Sequence, residues 1–202
     1  MSIDTYDIFL VDLDDTLYDE KLYLFEAYSQ ISLFLSQSQN IQFELINEYL
    51  RATFLNQGRT NLFDKLFDKF KLGNELLADI LEIMRNMNLE NKIQLFPEAY
   101  VLLAQLNQSK KKTIVVTNGN NAQQANKINN LDWKGLRNSF EVIFAKDYGS
   151  KPNRSVFEFT CKKFNLTNQK IVMIGDSEID SEFAKNCSID FIHKENVFEW
   201  VK

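Results

Sequence analysis

Five short runs of Ile, Val, Leu and Phe constrain this chain most, because none shows strict alternation of apolar and polar residues. They fall at 6–13, 113–117, 141–145, 170–174 and 189–192. Runs of this length without alternation predict strands buried on both faces, the signature of a parallel sheet covered by helices. Helical stripes lie between them: Ala99, Leu102, Leu103 and Leu106 before the second run, Phe157, Cys161 and Phe164 after the third. Asn121 to Leu131 reads as an amide-rich, largely exposed helix. The strand–helix order predicts an α/β fold with a Rossmann-like open parallel sheet.

The first run stops in Asp12-Leu13-Asp14-Asp15-Thr16. Residues two apart in an extended segment point the same way, so Asp12 and Asp14 can face one small volume. Two carboxylates this close are costly unless a cation or a shared proton compensates them. The pattern therefore points to metal-assisted chemistry; a solvated turn, which Asp favours, fits it too.

Residues 18 to 94 break the strand–helix rhythm. Leu24, Tyr28, Ile31 and Leu35 form one stripe, and Phe43, Ile46, Leu50 and Phe54 a second. After Gln57-Gly58-Arg59, the stripe resumes at Leu76, Leu77, Ile80, Met84 and Met87. A whole βαβ unit needs only about 30 residues, so this block is too long for a crossover. It predicts an inserted all-helical cap at 18–94, on a core formed by 1–17 and 95–202.

Composition narrows the function. A net charge of −5 gives no broad attraction for a nucleic-acid polymer or an anionic membrane. No apolar window is long enough to span a bilayer. The N-terminus shows no basic segment followed by an apolar one, which predicts a cytoplasmic protein. Cys161 and Cys187 are too few for a disulfide framework or zinc site and read as reduced core residues. The one histidine, His193, sits beside Lys194 and Glu195, where a surface or interface place is expected. Metal chemistry must then use oxygen ligands. The seventeen Phe residues predict aromatic packing in the core or in a lid.

Other polar groups also follow strand runs: Thr117-Asn118-Gly119, then Asp147 to Pro152 with Lys151, then Gly175-Asp176 with Asp180. Ligands in open α/β sheets collect at the carboxyl ends of strands, so these groups can converge. Asp12 suits nucleophilic attack on phosphorus, and Asp14 suits proton transfer to and from the reacting oxygens. Asp12, Asp176 and the backbone carbonyl of Asp14 suit Mg²⁺. Thr117, the backbone after it and Lys151 suit phosphoryl oxygens. Asp180 suits an outer place, orienting a metal-bound water or holding Lys151.

Together these motifs resemble the haloacid dehalogenase-like hydrolase superfamily, in its phosphatase branch. Asp12-Leu13-Asp14-Asp15-Thr16-Leu17-Tyr18 matches its first motif, Thr117 its second, Lys151-Pro152 its third, and Gly175-Asp176 with Asp180 its fourth. The resemblance implies Asp12 as nucleophile, Asp14 as acid/base, and Mg²⁺ at Asp12, Asp14 and Asp176. It implies a helical cap where residues 18–94 fall. It turns Asn118 toward the leaving group or its phosphate, with Gly119 beside it.

Family dehalogenases do not usually carry an aspartate two positions after the nucleophile, so Asp14 favours phosphoryl transfer. Mutases have both aspartates, but their glycine-rich hinge is not evident here. The Thr117-Asn118-Gly119 run resembles house-cleaning nucleotidases and phosphatases of acylated sugar acids. The expected substrate is a small phosphomonoester, a nucleoside monophosphate or sugar phosphate, handled by a monomer or homodimer. Tyr18, Tyr23, Arg59, Asn61 and Phe63 are the candidate substrate contacts near the cap's start and its Gly58 break. A phosphomutase, a dehalogenase-type hydrolase and a catalytically idle binding protein are the rival readings.

Overall fold

The computed structural model describes residues 3–201. Met1, Ser2 and Lys202, at the outer edges of the expected core segments, lie outside the described residues. Two compact units partition the chain. One runs up to Glu20 and resumes at Lys92; the other is Lys21–Asn91.

The first unit is built on five parallel strands: β1 (Ile8–Val11), β3 (Lys112–Thr117), β5 (Glu141–Phe144), β6 (Ile171–Gly175) and β7 (Asp190–His193). Their order across the sheet is β5-β3-β1-β6-β7. β1 is central and all four of its residues are buried. Burying an apolar side chain of that size contributes roughly 1.5–3 kcal/mol, so the unbroken Ile-Phe-Leu-Val run is stable only with both faces covered.

One face of the sheet gathers Ile8, Leu10, Ile114, Val116, Ile171 and Met173, residues two apart along their strands. Against it pack Val156 of α7 (Arg154–Phe164) and Phe183, Ala184 and Cys187 of α8 (Glu178–Cys187). α5 (Pro97–Gln108) buries Ala99, Leu102, Leu103 and Leu106, with Pro97 in its first turn. α6 (Asn121–Asn130) follows β3, and α9 (Lys194–Phe198) follows β7. A two-stranded parallel ribbon joins β2 (Ile93–Gln94) to β4 (Leu131–Asp132). His193 caps α9, its Nδ1 accepting from the Glu195 N–H.

From β1 the chain moves outward through β3 to β5, then returns to β6 on the other flank of β1 before reaching β7. The direction of winding reverses between β1 and β6, and the carboxyl ends of such strands open the crevice that open α/β sheets use for ligands. Val11 is in register with Ile174 and Val115. The residues just past these strands therefore lie side by side.

The second unit is helical: most of α1 (Glu20–Gln39), then α2 (Phe43–Gln57), α3 (Leu62–Phe70) and α4 (Leu77–Asn86), the last entered by a 3-10 turn at Asn74–Leu76. Leu24, Tyr28, Ile31 and Leu35 are buried, as are Ile46 and Leu50. Phe43 and Phe54 are half-buried, and Leu77 is exposed. The aromatic content packs here as edge-on pairs, Phe25 with Phe54 and Tyr28 with Phe54, each at 6.0 Å between centroids. Gly58 ends α2 with φ of 70°, a backbone that side chains resist. No described helix is long and apolar enough to cross a membrane.

Candidate active site

Asp12 is the first residue past β1, and its N–H donates to the Ile174 carbonyl of β6 at 2.9 Å. It therefore opens onto the crevice beside Asp176, which follows Gly175 at the end of β6. Lys151 enters from beyond β5, after a 3-10 turn at Ala145–Tyr148. Its buried ammonium spans two carboxylates, at 2.5 Å from Asp12 Oδ1 and 2.6 Å from Asp180 Oδ1. Asp180 lies in the first turn of α8. There Ser177 and Asp180 form a capping box, and the Ser177 hydroxyl donates to Asp180 Oδ2 at 2.6 Å. Gly175 permits this approach: a Cβ there would stand 2.5 Å from Asp180 Cγ.

Oxygens of Asp12, Asp176 and Asp180 lie within 4.8 Å of one another. When all three are ionised, the carboxylates exceed the Lys151 ammonium that bridges two of them by two charges, which a divalent cation would balance. Hard oxygen donors at the mouth of a crevice fit Mg²⁺. Both Asp180 oxygens already have donors, so Asp12 and Asp176 are the carboxylates best placed to hold the ion, with Asp180 locking Lys151 beside them. The Thr16 hydroxyl donates to Asp176 Oδ1 at 3.1 Å, and His193 Nε2 meets the Asp176 carbonyl at 3.1 Å. His193 thus supports the loop at the cluster.

The charges respond to this crowding. Burial pushes the Asp12 carboxyl up to about 7, with Lys151 opposing and Asp180 and Asp14 adding to the rise. Burial also raises Asp176, against its Thr16 hydrogen bond, while Asp180 and Asp15 raise it further. Burial works against the charge of Lys151, but Asp12 and Asp180 outweigh it and keep the ammonium protonated.

Asp14 is held quite differently from Asp12. The proton-carrying role assigned to it suggests a carboxyl poised near neutrality, yet its group is held below the ordinary carboxylate range. Burial opposes this, and the Lys127 ammonium wins, helped by Gln124 and Tyr18. Tyr18 Oη donates to Oδ1 at 2.7 Å, while Gln124 Nε2 and Lys127 Nζ each donate to Oδ2 at 2.8 Å. The Asp14 carboxylate is outside the three-carboxylate cluster, so any share of Asp14 in the metal falls to its backbone carbonyl.

Thr117 ends β3, is buried, and accepts from Gln124 Nε2. Gly119 has φ of 116° and turns the chain into α6. The Asn118 side chain pairs with the Lys151 backbone. Its Nδ2 donates to the Lys151 carbonyl at 2.9 Å and its Oδ1 accepts from the Lys151 N–H at 2.8 Å. Asn118 therefore sets the backbone of the lysine. Tyr18 is fully buried, with its hydroxyl committed to Asp14, so it orients that residue instead of offering an open surface. In the helical unit, Arg59 and Asn61 are exposed between α2 and α3, and Phe63 is half-buried. Tyr23 is committed to the unit's interior, donating to the Met84 carbonyl at 2.8 Å.

Sequence reasoning missed Lys127, Gln124 and Glu20. The helix carrying the first two is not largely exposed: Gln124, Lys127 and Ile128 are buried. With Leu131 just past the helix they keep the i, i+3, i+4, i+7 spacing of a buried face, a signal hidden because two members are polar.

Residues 9–194 match the family of haloacid dehalogenase-like hydrolases. A search among curated proteins gives no significant match. Several solved structures share the fold. YfnB from Bacillus subtilis, crystallised bound to magnesium, superposes with a TM-score of 0.64 at 21% identity, over 92% of this chain and 85% of that one. A HAD phosphatase from Thermococcus onnurineus gives 0.59 at 23%, over 92% and 84%. The L-2-haloacid dehalogenase of Xanthobacter autotrophicus gives 0.59 at 16%, over 92% and 76%. With the family matched across both units, and with a parallel sheet carrying its acidic residues on the expected strand ends, the chain belongs to the haloacid dehalogenase-like hydrolases.

Proposed function

We propose that this hydrolase is a Mg²⁺-dependent phosphatase that cleaves a small phosphomonoester, a nucleoside monophosphate or sugar phosphate, through an aspartyl-phosphate intermediate. The carrying observation is the grouping of Asp12, Asp176 and Asp180, with Lys151 bridging Asp12 and Asp180 and offsetting only one of the three carboxylates. Asp14 two positions after Asp12 favours phosphoryl over carbon–halogen chemistry. In this reading residues 18–94 act as the cap, Arg59 contacts the substrate's remote part, and the protein works in the cytoplasm as a monomer or homodimer.

Asp12 attacks phosphorus through a carboxylate oxygen, and the bond from phosphorus to the ester oxygen breaks. Lys151 and the Thr117 hydroxyl attract the phosphoryl oxygens as charge shifts in the transition state. The departing alkoxide takes a proton from Asp14, which the negative charge of the bound phosphate has favoured in its protonated form. Asp14, again a carboxylate, then accepts a proton from water as that water attacks phosphorus. The Asp12–phosphorus linkage breaks, leaving inorganic phosphate and a regenerated carboxylate. Mg²⁺ held by Asp12 and Asp176 would offset their negative charge and so favour the ionised nucleophile.

Turnover of 4-nitrophenyl phosphate in Mg²⁺ tests this, with halide release and sugar-phosphate isomer exchange assayed beside it. Phosphate release abolished by chelator is the expected result. Asp12→Asn should lower it by about 10⁴-fold or more, in line with losses of other catalytic nucleophiles, and accept no labelled phosphoryl group. Full activity in Asp12→Asn would remove that residue from its assigned role. A panel of nucleoside monophosphates and sugar phosphates then identifies the substrate class.

A further inference from the structure

The Asp14 carboxylate is gripped by three donors, and the strongest of them has its own brace. Lys127 is buried and bridges Asp14 Oδ2 at 2.8 Å to Glu20 Oε1 at 2.5 Å. Gln124, one helical turn earlier on α6, donates through the same amide nitrogen to Asp14 and to the Thr117 hydroxyl. Glu20 is buried too. It is fixed through its backbone, because its N–H donates to Asp15 Oδ1 at 3.0 Å. One face of α6 thereby ties the residue assigned to proton transfer to the residue assigned to phosphoryl binding.

Core filling does not account for this arrangement. Taking an ammonium and two carboxylates out of water is expensive, and apolar residues of similar volume often fill such space with equal or greater stability. What the charged assembly supplies is direction. Both Asp14 oxygens are spoken for, with Tyr18 on one and the α6 donors on the other, so rotation of the carboxylate breaks at least one hydrogen bond. We propose that Lys127, braced by Glu20 and assisted by Gln124, is a positioning residue that fixes the direction of the Asp14 carboxylate for proton transfer.

This inference rests on the phosphatase reading, and its test separates the two. The double variant Glu20→Gln/Lys127→Met removes one charge of each sign and keeps the cluster's net charge. Relative to wild type, kcat for an alkyl phosphate should fall about 100-fold, the scale of a misplaced catalytic group, while KM is unchanged. The fall for 4-nitrophenyl phosphate, whose leaving group needs little protonation, should be much smaller. An equal loss for both esters, or no loss, would overturn the inference while leaving the phosphatase reading intact. Inactive wild-type protein would instead sink that reading. A crystal structure of the double variant then decides the positioning claim by itself, since an Asp14 carboxylate in its original direction would refute it. Should the double variant fail to fold, Glu20→Gln alone keeps the ammonium on Asp14 and removes its brace. A smaller loss with the same leaving-group dependence is expected, and uniform or absent loss would overturn the proposal.

Discussion

Two carboxylates two positions apart have been driven in opposite directions by their neighbours. Asp12 shares Lys151 with Asp180 and is buried, so burial sets its sign and its group rises to about 7. Asp14 has Lys127 at 2.8 Å, and that cation reverses the effect of burial. In the metal-free protein this makes stability depend on pH. Between the ordinary carboxylate range and about pH 7, folded Asp12 retains a proton that the unfolded chain has lost. Stability falls with pH wherever the native state binds more protons, so this group costs stability progressively across that window. Asp12→Asn mimics the protonated form and lacks the slope. In chelator, urea unfolding from pH 4 to 7 should show the variant gaining steadily on wild type. Stability curves that run parallel over this range would show that Asp12 ionises normally.

The turn between β6 and α8 makes Lys151 usable, and its geometry depends on a missing side chain. Gly175→Ala would place a Cβ 2.5 Å from Asp180 Cγ, and Asp180 is held by its capping box and by Lys151. Overpacking of this kind costs about 1–3 kcal/mol. Displacing Asp180 should also lower phosphatase turnover. Denaturation and assay of Gly175→Ala check both, and unchanged values in both would contradict the close approach. Elements that turn on apolar periodicity are legible in the amino-acid order alone. The five runs are the five strands of the larger sheet, and the buried stripes of α1 and α5 fall where Leu24 to Leu35 and Ala99 to Leu106 place them. Periodicity misleads where polar groups occupy a buried face. On α6 the stripe is completed by Gln124 and Lys127, and on α7 the buried positions are Val156 and Thr160, with Phe157 and Phe164 only partly covered. Asp12, Asp176 and Lys151 are visible as strand-end chemistry. The partners of Asp14 are not, because only the fold brings residues 14, 20 and 127 together.

At the scale of the whole molecule, the site opposes the fold that carries it. Adjacent parallel strands deliver Asp12 and Asp176 to the same crevice, and α8 adds Asp180. Lys151 offsets only part of that charge. Without metal, the sheet therefore holds carboxylates whose repulsion and burial favour their neutral forms, as the raised Asp176 shows. A ligand that binds only the native state stabilises it by mass action, by about 2.7 kcal/mol at a concentration 100 times its dissociation constant. Mg²⁺ should therefore raise the unfolding midpoint of wild-type protein in a concentration-dependent way. Asp176→Asn removes one ligand and one repulsive charge, so its two effects have opposite signs. In chelator the variant should unfold above wild type, and in saturating Mg²⁺ below it, with little response of its own to the metal. Thermal unfolding of both proteins with chelator and across a Mg²⁺ titration measures that crossing. Two curves that rise together with Mg²⁺ would mean that the ion binds elsewhere, and the strand-end cluster would lose its claim to be the metal centre.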